Sequence, residues 1–129
     1  MQKNLLLVLC LFVFSQCKPQ QALEDGTYVG TFTVKYEDGK KSGPVTVVLE
    51  NGRYTSSSNP DRIPAGGFGT FSVQGNEIAF NASGIYTADF DWNLILGGNY
   101  QYSFNGQKLT LEADKNDVGN YRYVLQKQD

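Results

Sequence analysis

The stretch "GTYVGTFTVKY", residues 26–36, decides the fold because its side chains alternate in character. One row of the stretch is apolar and consists of Tyr28, Phe32, Val34 and Tyr36, with Gly30 among them. The other row is mostly threonine and ends in Lys35. Successive side chains of a strand point to opposite faces, so a period of two indicates a β-strand with one apolar face.

The same alternation recurs along the rest of the chain, in short runs separated by Gly, Asn, Asp and Pro. No segment keeps a helical period, so the sequence predicts an all-β protein. Seven further strands are predicted at residues 44–50, 52–57, 67–74, 76–82, 97–104, 107–113 and 120–128.

Each predicted strand has one apolar row, which we assign to the inside of the fold. Beyond the first strand, the inner row is predicted to hold Val45, Val47, Leu49, Tyr54, Phe71, Val73, Ile78, Phe80, Tyr100, Tyr102, Phe104, Leu109, Leu111, Tyr121, Tyr123 and Leu125. So many large side chains predict a mostly packed interior, with a shallow pocket at one end.

Eight one-sided strands in up-and-down order can close into an antiparallel barrel, which leaves no unpaired strand edge. Gly30, Gly69 and Gly98 are the predicted bends that permit closure. The alternative is a two-sheet β-sandwich, whose connections jump between sheets more often than these do.

The connections differ in length, and we number them so that link one joins strand one to strand two. Links two, four and six contain Asn-Gly or Gly-Asn pairs, which favour two-residue hairpins. Links one, three, five and seven are predicted to be long, at residues 37–43, 58–66, 83–96 and 114–119. In a meander the two sets lie at opposite ends, which we call the tight-turn end and the long-loop end. The first strand begins at the tight-turn end.

Composition excludes several functions. The chain of 129 residues has no His, which removes the usual acid-base and nucleophile-activating group and most zinc sites. Its only cysteines, Cys10 and Cys17, precede the first strand, so the barrel has neither a disulfide nor a catalytic thiol. With 11 basic against 13 acidic residues, the chain lacks the basic face that nucleic acids require. We expect no cofactor, no metal and no nucleic-acid partner.

The N-terminus has the pattern of an export signal. Residues 4–14 form an apolar run behind Lys3, too short to span a bilayer as a helix. "FSQC", residues 14–17, resembles the end of a bacterial lipoprotein leader, which implies that Cys17 is the acylated first residue. The alternative is an ordinary secretory signal that is cleaved after Ser15.

These features divide the chain into a signal peptide at residues 1–16, a flexible tether at 17–25 and a barrel domain at 26–129. The tether joins the tight-turn end, so the long loops are expected to point away from the membrane. We expect a protein lipid-anchored in the bacterial cell envelope, at the outer membrane or in the periplasm, or alternatively secreted in soluble form.

The whole barrel region resembles the small lipocalin-like lipoproteins of Gram-negative bacteria. The resemblance rests on "DGTYVGTF", residues 25–32, on the eight-strand meander, and on Arg122 in the last strand. In lipocalins a Trp near the start of the first strand packs beneath the barrel against a basic residue of the last strand. Tyr28 stands in place of that Trp. The resemblance implies a barrel that holds a small apolar ligand.

Link five gathers the densest group of candidate site residues, namely Tyr86, Asp89, Asp91 and Trp92. Two carboxylates beside a Trp are compatible with sugar binding or glycoside chemistry, which needs paired acids. The alternative is structural: the apolar residues Phe90, Trp92, Leu94 and Leu96 close the barrel mouth. In that case Asp89 caps a helical turn.

Three further positions complete the candidates. Arg62 of link three could contact a ligand carboxylate, or it could simply pair with Asp61 beside it. Phe68, at the start of the fourth strand, is a candidate apolar contact. Link seven is similar to an acidic calcium loop, but it lacks EF-hand spacing and a closing Glu, so it predicts no metal site.

The sequence contains no catalytic signature. We therefore expect a monomeric, non-enzymatic binding module that contacts a small apolar or amphipathic ligand, or an envelope protein, through its long-loop end. The alternatives are a glycan-active enzyme that uses Asp89 or Asp91 and a purely structural envelope protein.

Overall fold

The computed structural model describes residues 21–87 and 89–129. In this part of the chain there are eight strands, one short 3₁₀ turn and no α-helix. The strands are β1 (Gly26–Tyr36), β2 (Gly39–Glu50), β3 (Arg53–Ser58), β4 (Ala65–Gln74), β5 (Glu77–Ala82), β6 (Gly98–Phe104), β7 (Lys108–Lys115) and β8 (Gly119–Lys127); the 3₁₀ turn is Trp92–Leu94. All eight predicted strands are present.

The sheet is a closed barrel in which every strand pairs antiparallel with its neighbour in sequence. Closure is made by β1 and β8, which pair from Tyr28 opposite Lys127 to Tyr36 opposite Gly119. Because no strand edge is left over, the predicted barrel is confirmed and the sandwich is excluded. Gly30 permits the close approach of β8, since a Cβ there would lie 1.9 Å from the carbonyl oxygen of Val124.

The inner row forms one continuous core, as the alternation predicts. Tyr28, Phe32, Val47, Ile78 and Tyr123 are examples that are fully buried. The prediction for Val73 is wrong, because its side chain is 42% exposed. β3 begins at Arg53, opposite Thr70, so Val73 lies beyond the end of β3 and has no neighbour on that side.

Two of the four loops predicted to be long are short. β2 begins at Gly39, and Lys40–Ser42 pair with β1, so link one is a two-residue turn at Glu37–Asp38. Link seven has three residues, 116–118, and Val118 N–H donates to the Lys115 carbonyl oxygen (3.0 Å). Residues 37–42 and 116–118 are exposed, which explains why these hairpin ends are mostly polar. Only links three and five are long.

The N-terminal segment lies at the tight-turn end, as predicted. Gln21 N–H donates to the Phe104 carbonyl oxygen (3.0 Å), and the Asp25 carboxylate accepts from Asn51 N–H in link two (3.0 Å). Glu24 forms an ion pair of 2.8 Å with Lys127. The described part of the predicted tether, residues 21–25, therefore contacts the barrel. The predicted signal peptide and Cys17 lie outside the described residues.

The packing that the lipocalin resemblance implies for Arg122 is wrong. Arg122 is exposed on the outer face of β8, in register with Thr33. Tyr28 is buried at the base of the barrel, 6.0 Å from the ring of Phe104, and its hydroxyl donates to the Glu24 carbonyl oxygen (2.5 Å). The basic residue in register with Tyr28 is Lys127, which holds the N-terminal segment in place.

Candidate functional site

The long-loop end of the barrel is closed by apolar residues of links three and five. Leu94, Ile95, Leu96 and Ile63 are buried there and extend the core. Leu96 N–H donates to the Gly66 carbonyl oxygen (2.9 Å), which ties the end of link five to β4. The structural interpretation of link five is therefore confirmed for Leu94 and Leu96.

Two aromatic residues of link five do not belong to this plug. Trp92 is 57% exposed, and its indole N–H donates to the Thr87 carbonyl oxygen (2.8 Å). Phe90 is half-buried. The structural interpretation predicts that both close the barrel mouth, but the 3₁₀ turn directs Leu94 inward and leaves Trp92 on the solvent side.

Asp91 is the polar centre of link five. Its Oδ2 accepts hydrogen bonds from the hydroxyls of Tyr36 (2.8 Å) and Tyr121 (2.6 Å). Its Oδ1 accepts from Asn93 N–H (2.9 Å) and so caps the 3₁₀ turn. The cap predicted for Asp89 is therefore made by Asp91 instead. These bonds fasten link five to β1 and β8 at the seam where the barrel closes.

The protonation states at this centre follow from its contacts. Burial alone would raise the pKa of Asp91, but the hydrogen bonds from Tyr121, Tyr36 and Asn93 outweigh burial and hold that pKa below the usual value. Burial, followed by the contact with Asp91, raises the pKa of Tyr36 and of Tyr121. At neutral pH Asp91 is a carboxylate that two protonated tyrosines share.

Asp89 is exposed and belongs to a second polar group. The hydroxyl of Thr87 donates to it, and Arg62 Nη1 lies 3.5 Å from its Oδ1. The pKa of Asp89 is held below its usual value, mainly by the hydrogen bond from Thr87 and then by a backbone N–H. Arg62 contributes further to this lowering. Arg62 also stacks 5.1 Å from the ring centre of Phe90. The predicted Asp61–Arg62 pair is wrong, since Arg62 pairs across to link five.

Link three is held in shape by Asn59. Its side-chain oxygen accepts from the backbone N–H groups of Asp61 and Ile63 (both 3.1 Å), and its amide donates to the Ile63 carbonyl oxygen. Arg62 takes a positive φ of 56° inside this turn. Asn is a common residue at such turns because its side chain bonds nearby backbone groups. The result is that Ile63 points into the barrel while Arg62 stays exposed.

An open cleft of about 540 Å³ lies between links one, three and five. Its walls carry charged and aromatic groups, and Ile63 and Leu94 of the barrel plug contribute apolar surface. The cleft is lined by Tyr36, Asp38, Lys41, Asp61, Arg62, Ile63, Asp89, Phe90, Asp91 and Leu94. This volume lies within the range of about 300–1,000 Å³ that is typical of small-molecule sites.

The structure brings three of the predicted site residues together and leaves three apart. Arg62, Asp89 and Asp91 line the cleft. Phe68 and Tyr86 are outside its lining and both lie beside Gly84, whose Cβ would meet them at 3.4 and 3.6 Å. Trp92 is also outside the lining, although it directly follows Asp91, which lines the cleft.

Tyr36, Asp38 and Lys41 also line the cleft, and the sequence does not single them out as site residues. Its pattern predicts Tyr36 in the core and the other two in a long loop. The contact between the two tyrosines could have been predicted from the barrel, because closure places β1 beside β8. The ring centres of Tyr36 and Tyr121 are 6.4 Å apart at the long-loop end. Two inner-row hydroxyls at that rim need an acceptor, and link five supplies one.

Within residues 21–87 and 89–129, no group of three or more His, Cys, Asp or Glu side chains is placed to hold a metal ion. The acidic residues of link seven accordingly form no such group. The described residues also contain no helix that is long and apolar enough to cross a membrane.

No family model, curated protein or solved structure matches the chain. The barrel architecture therefore rests on the strand pairing described above.

Proposed function

We propose that this protein is a non-enzymatic, lipocalin-like binding module that takes a small amphipathic ligand into the cleft at its long-loop end. The observation that carries the proposal is the cleft itself, which combines apolar surface with a charged rim and has the volume of a small-molecule site. The rim residues are carried by loops on a closed barrel, a common arrangement for recognition sites.

The contacts of Asp91 favour binding over carboxylate catalysis. Both of its oxygens are occupied by donors, and these bonds keep it ionised. Asp89 is exposed and is engaged by Thr87 and Arg62. A glycoside-cleaving pair needs one acid with a raised pKa to protonate the leaving group. Neither carboxylate has that property.

The proposal also assigns the protein to the cell envelope, anchored through a lipid on Cys17. Residues 21–25 are docked at the tight-turn end of the barrel. A lipid on Cys17 would therefore turn that end toward the membrane, and the cleft would open on the far side.

The binding proposal is tested by titrating the purified protein with a panel of fatty acids, alkyl and aromatic amines, aromatic acids and short peptides. Trp92, the only Trp, reports on link five through its fluorescence. We expect a saturable change with at least one class of compound, and loss of that change in Phe90→Ala. A panel that produces neither a fluorescence change nor a calorimetric heat contradicts the proposal.

The anchor is tested by the mass and fatty-acid content of the mature protein, produced in a Gram-negative host. We expect a mature N-terminus at Cys17 that carries acyl chains, and a soluble, unmodified product from Cys17→Ser. A mature chain that begins at Gln16 without lipid would remove the anchor and leave the binding proposal standing.

A further inference from the structure

The charges that line the cleft are unequal. Its acidic members are Asp38, Asp61, Asp89 and Asp91, and its basic members are Lys41 and Arg62. Four negative charges against two positive ones leave the cleft with a formal charge of −2, as large as that of the entire chain. The other charges between Tyr36 and Gly43, Glu37 and Lys40, have opposite signs and do not change the balance.

The one ion pair among the lining residues neutralises one charge of each sign and leaves the negative excess unchanged. Arg62 is paired with Asp89 and stacked on Phe90. In the part of the chain that the structure describes, neither Asp38 nor Asp61 is within 4.0 Å of a basic nitrogen. The cleft therefore presents two unpaired carboxylates, Asp38 and Asp61, against one unpaired cation among the described residues, Lys41.

The aromatic rings of the cleft also face cations. Lys41 Nζ lies 6.0 Å from the ring centre of Tyr36, and Arg62 lies 5.1 Å from that of Phe90. The Tyr36 hydroxyl is bonded to Asp91, which fixes the orientation of its ring. The face of an aromatic ring attracts a cation through its quadrupole. The ring of Tyr36 thus has an exposed lysine, Lys41, at about the 6 Å limit of such a contact.

We propose that the ligand of this cleft is a small organic cation, an ammonium group joined to an apolar body. The ammonium lies between Asp38, Asp61 and the ring of Tyr36, in the place that Lys41 now occupies, and the apolar body packs on Ile63 and Leu94. This inference rests on the proposed binding function and names the ligand class.

Three probes that share a phenyl ring and differ in charge test the assignment: 2-phenylethylamine, 2-phenylethanol and 3-phenylpropanoate. Binding to the purified protein is measured by calorimetry and by Trp92 fluorescence. We expect the amine to bind at least about fivefold more tightly than the other two at low salt. Its affinity falls as salt is raised, because exposed charges are screened.

Two variants that change the charge of the cleft should shift the affinity for the amine in opposite directions. Asp61→Asn removes an attracting carboxylate and should weaken amine binding about two- to fivefold. Lys41→Met removes the competing cation and should tighten it by a similar factor. Two controls make the same charge changes at the tight-turn end: Lys108→Met matches Lys41→Met, and Glu77→Gln matches Asp61→Asn. Both should leave the affinity unchanged.

The possible failures are distinguishable. If the carboxylate probe binds most tightly and Lys41→Met weakens it, the cleft binds anions; the cation assignment is then wrong, and the binding function stands. Equal affinity for amine and alcohol also overturns the assignment. If none of the probes binds and the wider panel gives no signal, the proposed function itself fails.

Discussion

A single carboxylate, Asp91, organises the long-loop end. It receives hydrogen bonds from two tyrosines on different strands and from the backbone of its own turn. Hydrogen bonds to a charged acceptor are worth more than neutral ones, and these are partly shielded from water. Asp91 therefore holds the elements of the site in position.

Tyr121 and Tyr123 form a matched pair for testing how much the hydrogen bond to Asp91 stabilises the fold. Both are fully buried, but the hydroxyl of Tyr121 donates to Asp91, whereas that of Tyr123 has no partner within the described residues. Tyr121→Phe should lower the free energy of unfolding by about 2 kcal/mol. Tyr123→Phe should raise it by about 1 kcal/mol, since it removes an unsatisfied buried group.

Urea unfolding of both variants, followed by circular dichroism, measures these changes. Equal losses in the two variants would mean that the Tyr123 hydroxyl is as well bonded as that of Tyr121, which would contradict the difference between the two sites.

The pKa of Asp91 predicts a pH dependence of stability. Because the native pKa is below the value of 3.8 for a free aspartate, the unfolded state binds the proton more readily. The stabilisation that ionised Asp91 provides is therefore complete above the pKa of the unfolded state and is lost as pH falls through the native pKa. The stability difference between wild type and Asp91→Asn should be constant from about pH 8 to pH 5 and should shrink below about pH 4. A difference that grows in acid would show that Asp91 is not held ionised.

At the scale of elements, the site depends on how closely link three approaches β2. Gly43 makes this approach possible, because a Cβ there would lie 1.8 Å from the Ile63 carbonyl oxygen and 2.7 Å from Asn59 Nδ2. Link three in turn places Ile63 in the plug and Arg62 on the cleft rim. A strand glycine thus fixes the position of a loop.

Gly43→Ala should therefore cost about 2–3 kcal/mol of stability, because backbone must move to make room. The control is Gly97→Ala, whose Cβ would meet only the Ala82 Cβ, at 3.3 Å, and which should change stability by less than about 1 kcal/mol. Thermal or urea unfolding compares the two. Similar values for both substitutions would show that link three is free to move away from β2.

At the scale of the whole molecule, the strands and the inner row could be predicted because alternation is a local signal. The closed barrel followed from the strand count and the hairpin links. Loop lengths were less predictable. Lys40–Ser42 is polar and exposed although Lys41 pairs with the buried Val34, and polar runs look the same in hairpin ends and in loops.

The contacts of the site could not be predicted from local pattern. Tyr36 and Asp91 are 55 residues apart, and Arg62 and Asp89 are 27 apart. These pairs exist only because closure brings β1 beside β8 and because both long links cover the same mouth. The sequence identified Asp89, Asp91 and Arg62 as candidates, and the fold decided which of them meet.

The central claim, that the long-loop cleft is the binding surface, is tested most directly by amide chemical-shift mapping. The ¹⁵N-labelled protein is titrated with 2-phenylethylamine, and shift changes are plotted along the chain. We predict that the largest changes fall in residues 36–41, 59–64 and 89–95. Changes centred on the tight turns at residues 51–52, 75–76 and 105–106, or saturating amounts of probe without any change, would contradict the claim.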